Sequence, residues 1–246
     1  MRIRELLVGV EGLALLRHLY DGTDDAADRR IAEVRRVLDD DALLAGEPIR
    51  EADPQAGYRA WSESYDEPGN PIIALEQPAV WSLLESLEPG CALDAACGTG
   101  RHAAHLVALG HEVLGVDLTP EMIERAATNV PDAQFREGDL LALPVAAQRF
   151  DVVVCGLALS HIAELRAGVA ELTRVLRPGG QLVISVLHPF QALLGWHAPF
   201  IDAEGQVPAK QRAYRRIPEA AMQAYVGLPG VLVWSATRST AASLIP

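Results

Sequence analysis

The chain has 246 residues, half of them hydrophobic and 22% of them charged. That composition supports a globular core and excludes a wholly disordered chain. The 33 acidic residues outnumber the 21 basic residues, which gives a formal net charge of -12. Because nucleic-acid binders need clustered lysine and arginine to displace counterions from phosphates, a nucleic acid is not expected as a partner.

The cysteine spacing and the lengths of the apolar runs indicate the cellular location to expect. Cys91, Cys97 and Cys155 form neither a disulfide framework nor a CxxC metal pair, so we expect a reducing, cytoplasmic location and no metal site. No stretch has the roughly 20 uninterrupted apolar residues that a membrane span needs, and no membrane partner is expected.

The first 50 or so residues are predicted to be helical. Apolar residues recur near 3.6-residue spacing from Leu6 to Leu19, and a second amphipathic run holds Ile31, Val34 and Leu38. The two runs together predict an N-terminal helical extension.

The segment from Glu51 to Pro71 is rich in proline, glycine and aromatic residues. We expect an ordered loop or a short helix there, anchored by Tyr58, Trp61 and Tyr65. It leads into a predicted helix from about Ile73 to Leu87.

From Cys91 onward, short apolar runs alternate with helix-length amphipathic segments. Apolar runs without period-two alternation are typical of strands buried on both faces, and their alternation with helices indicates right-handed crossovers. The predicted fold is α/β, a doubly wound, Rossmann-like, mostly parallel sheet with helices on both faces. The predicted strands are 92–95, 112–116, 133–135, 150–155 and 181–187. The predicted helices between them are about 99–109, 120–128 with Thr119 as N-cap, and 162–176 before the break at Pro178-Gly179-Gly180.

A strand, a glycine turn and a helix start meet in Leu93-Asp94-Ala95-Ala96-Cys97-Gly98-Thr99-Gly100-Arg101-His102-Ala103. Gly98 and Gly100 permit positive φ and a close approach of ligand to backbone, and the helix N-terminus offers free N–H groups. The same residues fit the dinucleotide fingerprint G-x-G-x-x-G/A, so NAD is an alternative ligand. A tight turn without any ligand is the other alternative.

Two aspartates follow later predicted strands. Asp117 ends the second strand about 20 residues after the glycines, where a carboxylate is positioned to accept both ribose hydroxyls of a nucleotide. Its alternative role is to cap the next helix. Asp139 follows the third strand in Glu137-Gly138-Asp139-Leu140 and is a candidate acceptor for an adenine amino group.

With these motifs in this order, the chain resembles the class I S-adenosylmethionine-dependent methyltransferases, in particular the small-molecule branch whose first motif is LDxxCGTG. The resemblance covers about Tyr65 to Pro189. It rests on four segments, namely 94–100, 115–117, 138–139 before 143–144, and 176–180.

The resemblance implies S-adenosylmethionine as cofactor and a role for each matching residue. Asp94 would stand near the methionine amino group, because an ammonium needs a carboxylate partner, and Asp117 would hold the ribose hydroxyls. Ala96 stands where the family usually has its first glycine, which is tolerable if its φ stays negative. The other implied contacts are Gly98 and Gly100 at the methionine and ribose end, Leu118 and Met122 over the adenine, Asp139 and Leu140 at its edge, and Cys155, Gly156 and Leu157 beside the reactive end.

Methyl transfer from a sulfonium mainly requires alignment of the acceptor and exclusion of water. A base is needed only if the acceptor must lose a proton. His161, just after the fourth strand, is the best-placed candidate, and His188, after the fifth strand, is the second. The alternative for His161 is a helix cap or a packing role beside the cofactor.

Tyr65 lies in Trp61-Ser62-Glu63-Ser64-Tyr65-Asp66, which is similar to a segment that closes over the cofactor in this branch. Its hydroxyl would reach the methionine end, or its ring would face the sulfonium. Its alternative role is to anchor the N-terminal helices.

The expected organisation is an N-terminal helical extension and cofactor lid at 1–71, followed by a cofactor-binding domain at 72–246 with a substrate-side insertion at about 188–216. Beyond the insertion we expect a helix at 219–226 and a strand at 230–235, with the last strands of the sheet incomplete. An unpaired hydrophobic edge, or the leucine face of residues 6–19, favours a homodimer.

The sequence therefore predicts an enzyme that transfers a methyl group from S-adenosylmethionine to an O or N atom of a small-molecule acceptor. An NAD-dependent oxidoreductase of similar fold is the first alternative, although the carboxylate of Asp94 would face a pyrophosphate poorly. A non-catalytic or repurposed S-adenosylmethionine-binding protein is the second.

Overall fold

A computed structural model gives the structure of residues 3–44, 54–63, 65–66, 70–189, 191 and 231–240. The chain divides into two compact units, one made of residues 1–52 and 190–229 and the other of residues 53–189 and 230–246. The predicted helix at 219–226 and nearly all of the predicted insertion lie outside the described residues. The predicted domain boundary near residue 71 stays a prediction.

Helices form the described part of the first unit, as the apolar periodicity predicts. They are α1 (Ile3–Asp21), α2 (Asp24–Asp39) and a 3-10 turn at Asp41–Leu43. Glu11 is 1% exposed within the apolar run of α1, and its carboxylate pairs with Arg30 of α2 at 3.3 Å. Burial raises the pKa of Glu11, and the charge of Arg30 offsets only part of that effect.

The leucine face of α1 is only partly buried. Leu7, Val10 and Ala14 are almost fully buried, whereas Leu16 and Leu19 are 58% and 74% exposed. None of the described helices is both long enough and apolar enough to cross a bilayer.

The second unit holds the α/β fold. Its helices are α3 (Pro54–Trp61), α4 (Pro71–Leu84), α5 (Arg101–Ala108), α6 (Pro120–Asn129) and α7 (Leu165–Val175), with a 3-10 turn at Leu159–His161. Its strands are β1 (Cys91–Ala95), β2 (Glu112–Asp117), β3 (Gln134–Glu137), β4 (Phe150–Gly156), β5 (Leu176–Leu187) and β6 (Val231–Thr237).

The strands form one sheet in the order β3-β2-β1-β4-β5-β6, in which the first five are parallel and β6 runs antiparallel to β5. This confirms the predicted mostly parallel, doubly wound sheet, and the predicted strand at 230–235 is present as β6. Within the described part of the chain, β6 is an edge strand.

Both faces of the sheet are covered, which is why its strands carry continuous apolar runs. Successive side chains of a strand point to opposite faces, so Leu93 of β1 packs toward α7 while Ala92 packs toward α4 and α5. The central strands are therefore buried on both sides, as predicted.

Several predicted boundaries are wrong by two or more residues; the helix predicted from about Ile73 to Leu87, for example, is α4 (Pro71–Leu84). α7 begins at Leu165, three residues later than predicted, after the 3-10 turn at 159–161. β5 begins at Leu176, before the predicted break at 178–180. There the Gly179 N–H donates to the Arg238 carbonyl at 2.8 Å, and the Gly180 carbonyl accepts the Arg238 N–H at 2.9 Å. Pairing with the residue just after β6 keeps this segment extended despite its proline and glycines.

Candidate functional site

One cavity lies at the carboxyl ends of four adjacent parallel strands, where ligands bind in open α/β sheets. It gathers most of the residues that the sequence singles out. These are Tyr65, Ala96, Gly98, Asp117, Leu118, Met122, Asp139, Leu140, Gly156 and His161.

Asp117 ties the ends of the first two strands together. Its Oδ2 accepts the Gly98 N–H at 2.8 Å, and its Oδ1 accepts the Thr119 N–H at 2.9 Å. Burial raises its pKa, and the two backbone hydrogen bonds oppose that shift. Thr119 is the N-cap of α6 as predicted, but its side chain makes no capping hydrogen bond. The Asp117 carboxylate, which accepts the Thr119 N–H, therefore also stabilises the start of this helix.

The glycine turn after β1 is left-handed at three positions. Gly98 and Gly100 have φ of 53° and 89°, which glycine adopts without strain. Ala96 has φ of 58°. The condition of a negative φ at Ala96 is therefore not met, and the alanine adopts the left-handed conformation at a cost of roughly 1–2 kcal/mol.

Asp94 lies just before this turn at the end of β1 and is 1% exposed. Its Oδ2 accepts the Ala103 N–H of α5 at 2.9 Å, whereas its Oδ1 is buried without a hydrogen-bond partner among the described residues. Burial raises its pKa to about 6, although electrostatic interactions with His102 and Arg101 oppose the shift. Asp94 is thus an incompletely satisfied carboxylate beside the turn.

A second buried carboxylate belongs to a polar cluster that the sequence analysis missed. Glu76 of α4 accepts from Ser185 Oγ at 2.6 Å and from Arg101 Nη1 at 2.7 Å, and its Oε1 lies 3.0 Å from His102 Nε2. Burial alone would raise its pKa, but the His102 and Arg101 interactions outweigh it and hold the pKa at about 2. A Cβ at Gly156 would lie 2.5 Å from His102 Nε2, so glycine is required for this close approach to the end of β4.

Tyr58 of α3 and Tyr65 of the following segment form an aromatic wall of the cavity. Tyr58 stacks on Trp61 with 6.0 Å between ring centroids, and Trp61 meets Tyr65 edge-on at 4.9 Å. Burial raises the pKa of Tyr65 to about 12. The segment is also joined to the glycine turn, because Thr99 Oγ1 donates to Asp66 Oδ1 at 2.6 Å.

His161 faces the same cavity from the turn after β4. Its Nε2 lies 2.9 Å from the hydroxyl oxygen of Tyr58, and the two rings meet edge-on at 5.4 Å. Burial lowers the pKa of His161, so the imidazole is neutral near pH 7.

Residues after β2 and β3 and on α6 complete the described lining of the cavity. Met122 and Leu140 are buried, Leu118 is half exposed, and its carbonyl accepts from Gln55 Nε2 at 3.0 Å. Asp139 is exposed and its Oδ1 accepts the Leu141 N–H at 2.8 Å.

Four predicted site residues do not line the cavity. Asp94 lies in β1 just before the turn and is not among the lining residues, and Gly100 is the N-cap of α5 and lines a neighbouring surface groove. The Cys155 side chain is fully buried in the core on one face of the sheet. His188 follows β5 and is absent from the lining among the described residues.

Tyr58, Gln55 and Glu76 are the site residues that the sequence analysis did not assign. Tyr58 is one of the predicted aromatic anchors, but its position beside His161 has no local signal, because 103 positions separate them. Glu76 is the one charged residue of a mostly apolar helix. That contrast was the one available sign of its buried role.

Most of the residues that form this site belong to a segment that matches a known protein family. Residues 93–184 match the family described as methyltransferase domain. These residues form a class I S-adenosylmethionine-dependent methyltransferase domain. The match runs from the strand before the glycine turn to the middle of β5 and so includes all four motifs.

Curated relatives of this methyltransferase domain act on different acceptors. The chain is 34% identical over 138 residues to the demethylmenaquinone methyltransferase of Beutenbergia cavernae, covering 52% of this chain and 58% of that protein. It is 40% identical over 108 residues to the malonyl-[acyl-carrier protein] O-methyltransferase of Erwinia pyrifoliae, covering 43% of this chain and 41% of that protein. The chain thus spans about half the length of these relatives.

Solved structures share the fold of the methyltransferase domain. An S-adenosylmethionine-dependent methyltransferase from Mesorhizobium loti superposes with a TM-score of 0.51 at 24% identity, over 66% of this chain and 97% of that chain. DhpI in complex with SAH gives 0.57 at 20% identity, over 77% and 97%. At these identities the likeness shows the fold alone.

The cofactor of this domain class is S-adenosylmethionine, and the residues present are chemically compatible with it. Asp94 Oδ1 is a buried acceptor that lacks a partner in the described chain, which suits an ammonium. Each oxygen of Asp117 accepts one backbone N–H and has a further lone pair for a ribose hydroxyl. Met122, Leu118 and Leu140 supply apolar surface for an adenine ring.

Proposed function

We propose that this protein transfers the methyl group of S-adenosylmethionine to an O or N atom of a small-molecule acceptor. The observation that carries the proposal is the convergence of the glycine turn, Asp117, Asp139 and His161 on one cavity at the strand ends. The curated relatives named above are a demethylmenaquinone and a malonyl-acyl-carrier-protein methyltransferase, and they support an acceptor outside the nucleic acids.

In this proposal, residues at the carboxyl ends of β1, β2 and β3 would hold the cofactor. Asp94 pairs with the methionine ammonium, and Asp117 accepts hydrogen bonds from the ribose hydroxyls. Leu118 and Met122 cover the adenine, while Asp139 and Leu140 meet its edge. Gly98, Gly100 and Ala96 bring backbone close to the methionine and ribose, and Tyr65 closes over them.

The bound cofactor supplies a methyl group that its sulfonium charge has already activated, so the chain has three tasks. The pocket aligns the acceptor, and the aromatic wall of α3 excludes water. His161 accepts the proton that an O–H or N–H acceptor must lose, because burial keeps its imidazole neutral and able to act as a base. His188 is the second candidate for this task.

The proposal includes a cytoplasmic location and an acceptor that is not a nucleic acid. The three cysteines are free thiols, and the net charge of -12 disfavours phosphate polymers. It also includes a homodimer, for which the exposed Leu16 and Leu19 of α1 offer apolar surface.

A turnover assay tests the proposal. The protein is incubated with S-adenosylmethionine and a panel of phenols, alcohols, carboxylic acids and amines, and S-adenosylhomocysteine formation is measured. We expect turnover with at least one acceptor. His161→Ala should lower kcat about 100-fold or more while cofactor affinity is retained, and His188→Ala in parallel decides which histidine is the base. Cofactor binding without turnover on any acceptor would favour a non-catalytic role.

A further inference from the structure

Tyr58 is the residue in direct contact with the candidate base. Its hydroxyl oxygen lies 2.9 Å from His161 Nε2, a normal hydrogen-bond distance, and the tyrosine ring meets the imidazole at 89°. The ring of Tyr58 itself packs against Trp61 and Tyr65, at centroid distances of 6.0 and 6.3 Å. The hydroxyl therefore has a fixed position relative to the histidine.

The two nitrogens of His161 have different surroundings. Nε2 is engaged by Tyr58, whereas Nδ1 makes no hydrogen bond to the described part of the chain. His161 lines the cavity together with Leu157 and Ala158 at the end of β4, which is the reactive end in the proposed function. The nitrogen left for an acceptor is therefore Nδ1.

We propose that Tyr58 is a positioning residue: its hydroxyl oxygen accepts the Nε2–H of His161 and so holds the imidazole in the tautomer whose Nδ1 carries the lone pair. This inference rests on the proposed function and specifies its acceptor, which brings an O–H or N–H proton to the cavity. In the neutral imidazole only one nitrogen is a donor, so fixing the proton on Nε2 makes Nδ1 the base.

The proton balance follows from this arrangement. The acceptor X–H gives its proton to Nδ1, the electron pair of X forms the bond to the methyl carbon, and the S–CH₃ bond breaks with its electron pair remaining on sulfur. The products are X–CH₃, the neutral thioether and an imidazolium, which Tyr58 stabilises through the same Nε2–H.

Other titratable groups share the cavity. Tyr65 lies on the segment after α3, Asp117 at the end of β2 and Asp139 after β3, and each lines the cavity that His161 faces. None of these is hydrogen-bonded to His161 in the described structure. Tyr58→Phe therefore removes one interaction of the imidazole and retains the ring that packs against it.

The test is ¹⁵N spectroscopy of histidine-labelled protein, which reports the tautomer and titration midpoint of each imidazole; His161→Gln assigns the resonance. In the native chain we expect a neutral His161 protonated on Nε2. In Tyr58→Phe the midpoint should fall by about one pH unit, because the imidazolium loses a hydrogen-bond acceptor. Tyr65→Phe is the matched control and should leave the midpoint nearly unchanged.

The sign of the shift decides the inference. A midpoint that rises in Tyr58→Phe would mean that Tyr58 donates to Nε2 and that Nδ1 holds the proton, which overturns it, and so does an unchanged midpoint. With an acceptor from the panel, the acidic limb of the kcat profile should move by the same amount as the midpoint. The spectra need no acceptor, so this result is separate from the proposed function, which fails if S-adenosylhomocysteine does not bind.

Discussion

Two buried carboxylates, Glu76 and Asp94, have pKa values that are shifted in opposite directions. Glu76 receives hydrogen bonds from Ser185 and Arg101 and lies against His102, and its pKa is held at about 2. Asp94 accepts one backbone N–H, keeps one oxygen without a partner in the described chain, and has a pKa raised by burial to about 6. Ser185, Arg101 and His102 thus satisfy Glu76, whereas Asp94 keeps one oxygen without a partner among the described residues.

This difference predicts how cofactor affinity depends on pH. The raised pKa of Asp94 means that its carboxyl is mostly protonated below about pH 6 and ionised above it. Since an ammonium pairs with the ionised form, S-adenosylhomocysteine should bind roughly tenfold more weakly one pH unit below that pKa than well above it. Isothermal titration calorimetry at several pH values measures the change.

Asp94→Asn is the control for that pH dependence. The amide has the same shape and no charge, so its affinity should be weak and nearly constant over the same pH range. Because the pKa of Asp117 is also raised by burial, only the difference between the native chain and the variant belongs to Asp94. Equal pH dependence in the two proteins would contradict the pairing of Asp94 with the ammonium.

At the scale of elements, Glu76 joins helix α4 to the sheet and to α5. It is 0% exposed, and its partners Ser185 and Arg101 belong to β5 and α5. Glu76→Ala should lower the free energy of unfolding by about 3–5 kcal/mol, because it leaves buried charge uncompensated. Glu85→Ala is the matched control at the end of the same helix: its exposed pair with His105 at 3.6 Å contributes well under 1 kcal/mol.

The pH dependence of stability gives an independent measure of Glu76. Its pKa in the folded chain, about 2, lies below the ordinary 4.5, so its contribution is fully present above about pH 4.5 and is lost as pH falls toward 2. Urea unfolding across this range should show a smaller loss in Glu76→Gln than in the native chain. An identical loss in both would mean that the carboxylate does not stabilise the fold.

At the scale of the whole molecule, the order of elements follows from the sequence because buried parallel strands and amphipathic helices have distinct patterns. The sequence could not show that residues 178–180 stay extended, since that depends on Arg238, about 60 positions away. It could not show the left-handed Ala96 either, because alanine itself prefers negative φ.

Some residues of the candidate site could be predicted from the sequence, and others could not. Asp117 and Gly98 were predictable because each follows a strand, and parallel strands bring their carboxyl ends together. Tyr58 and Glu76 come from helices that precede the sheet in the chain, and only tertiary packing brings them to His161 and Ser185. Their roles therefore appear only in the folded structure.

The most direct test of the whole account is calorimetric titration of the purified protein with S-adenosylmethionine, S-adenosylhomocysteine and NAD in parallel. We expect micromolar binding of the first two, one molecule per chain, and no binding of NAD. Binding of NAD alone, or of none of the three, would contradict it.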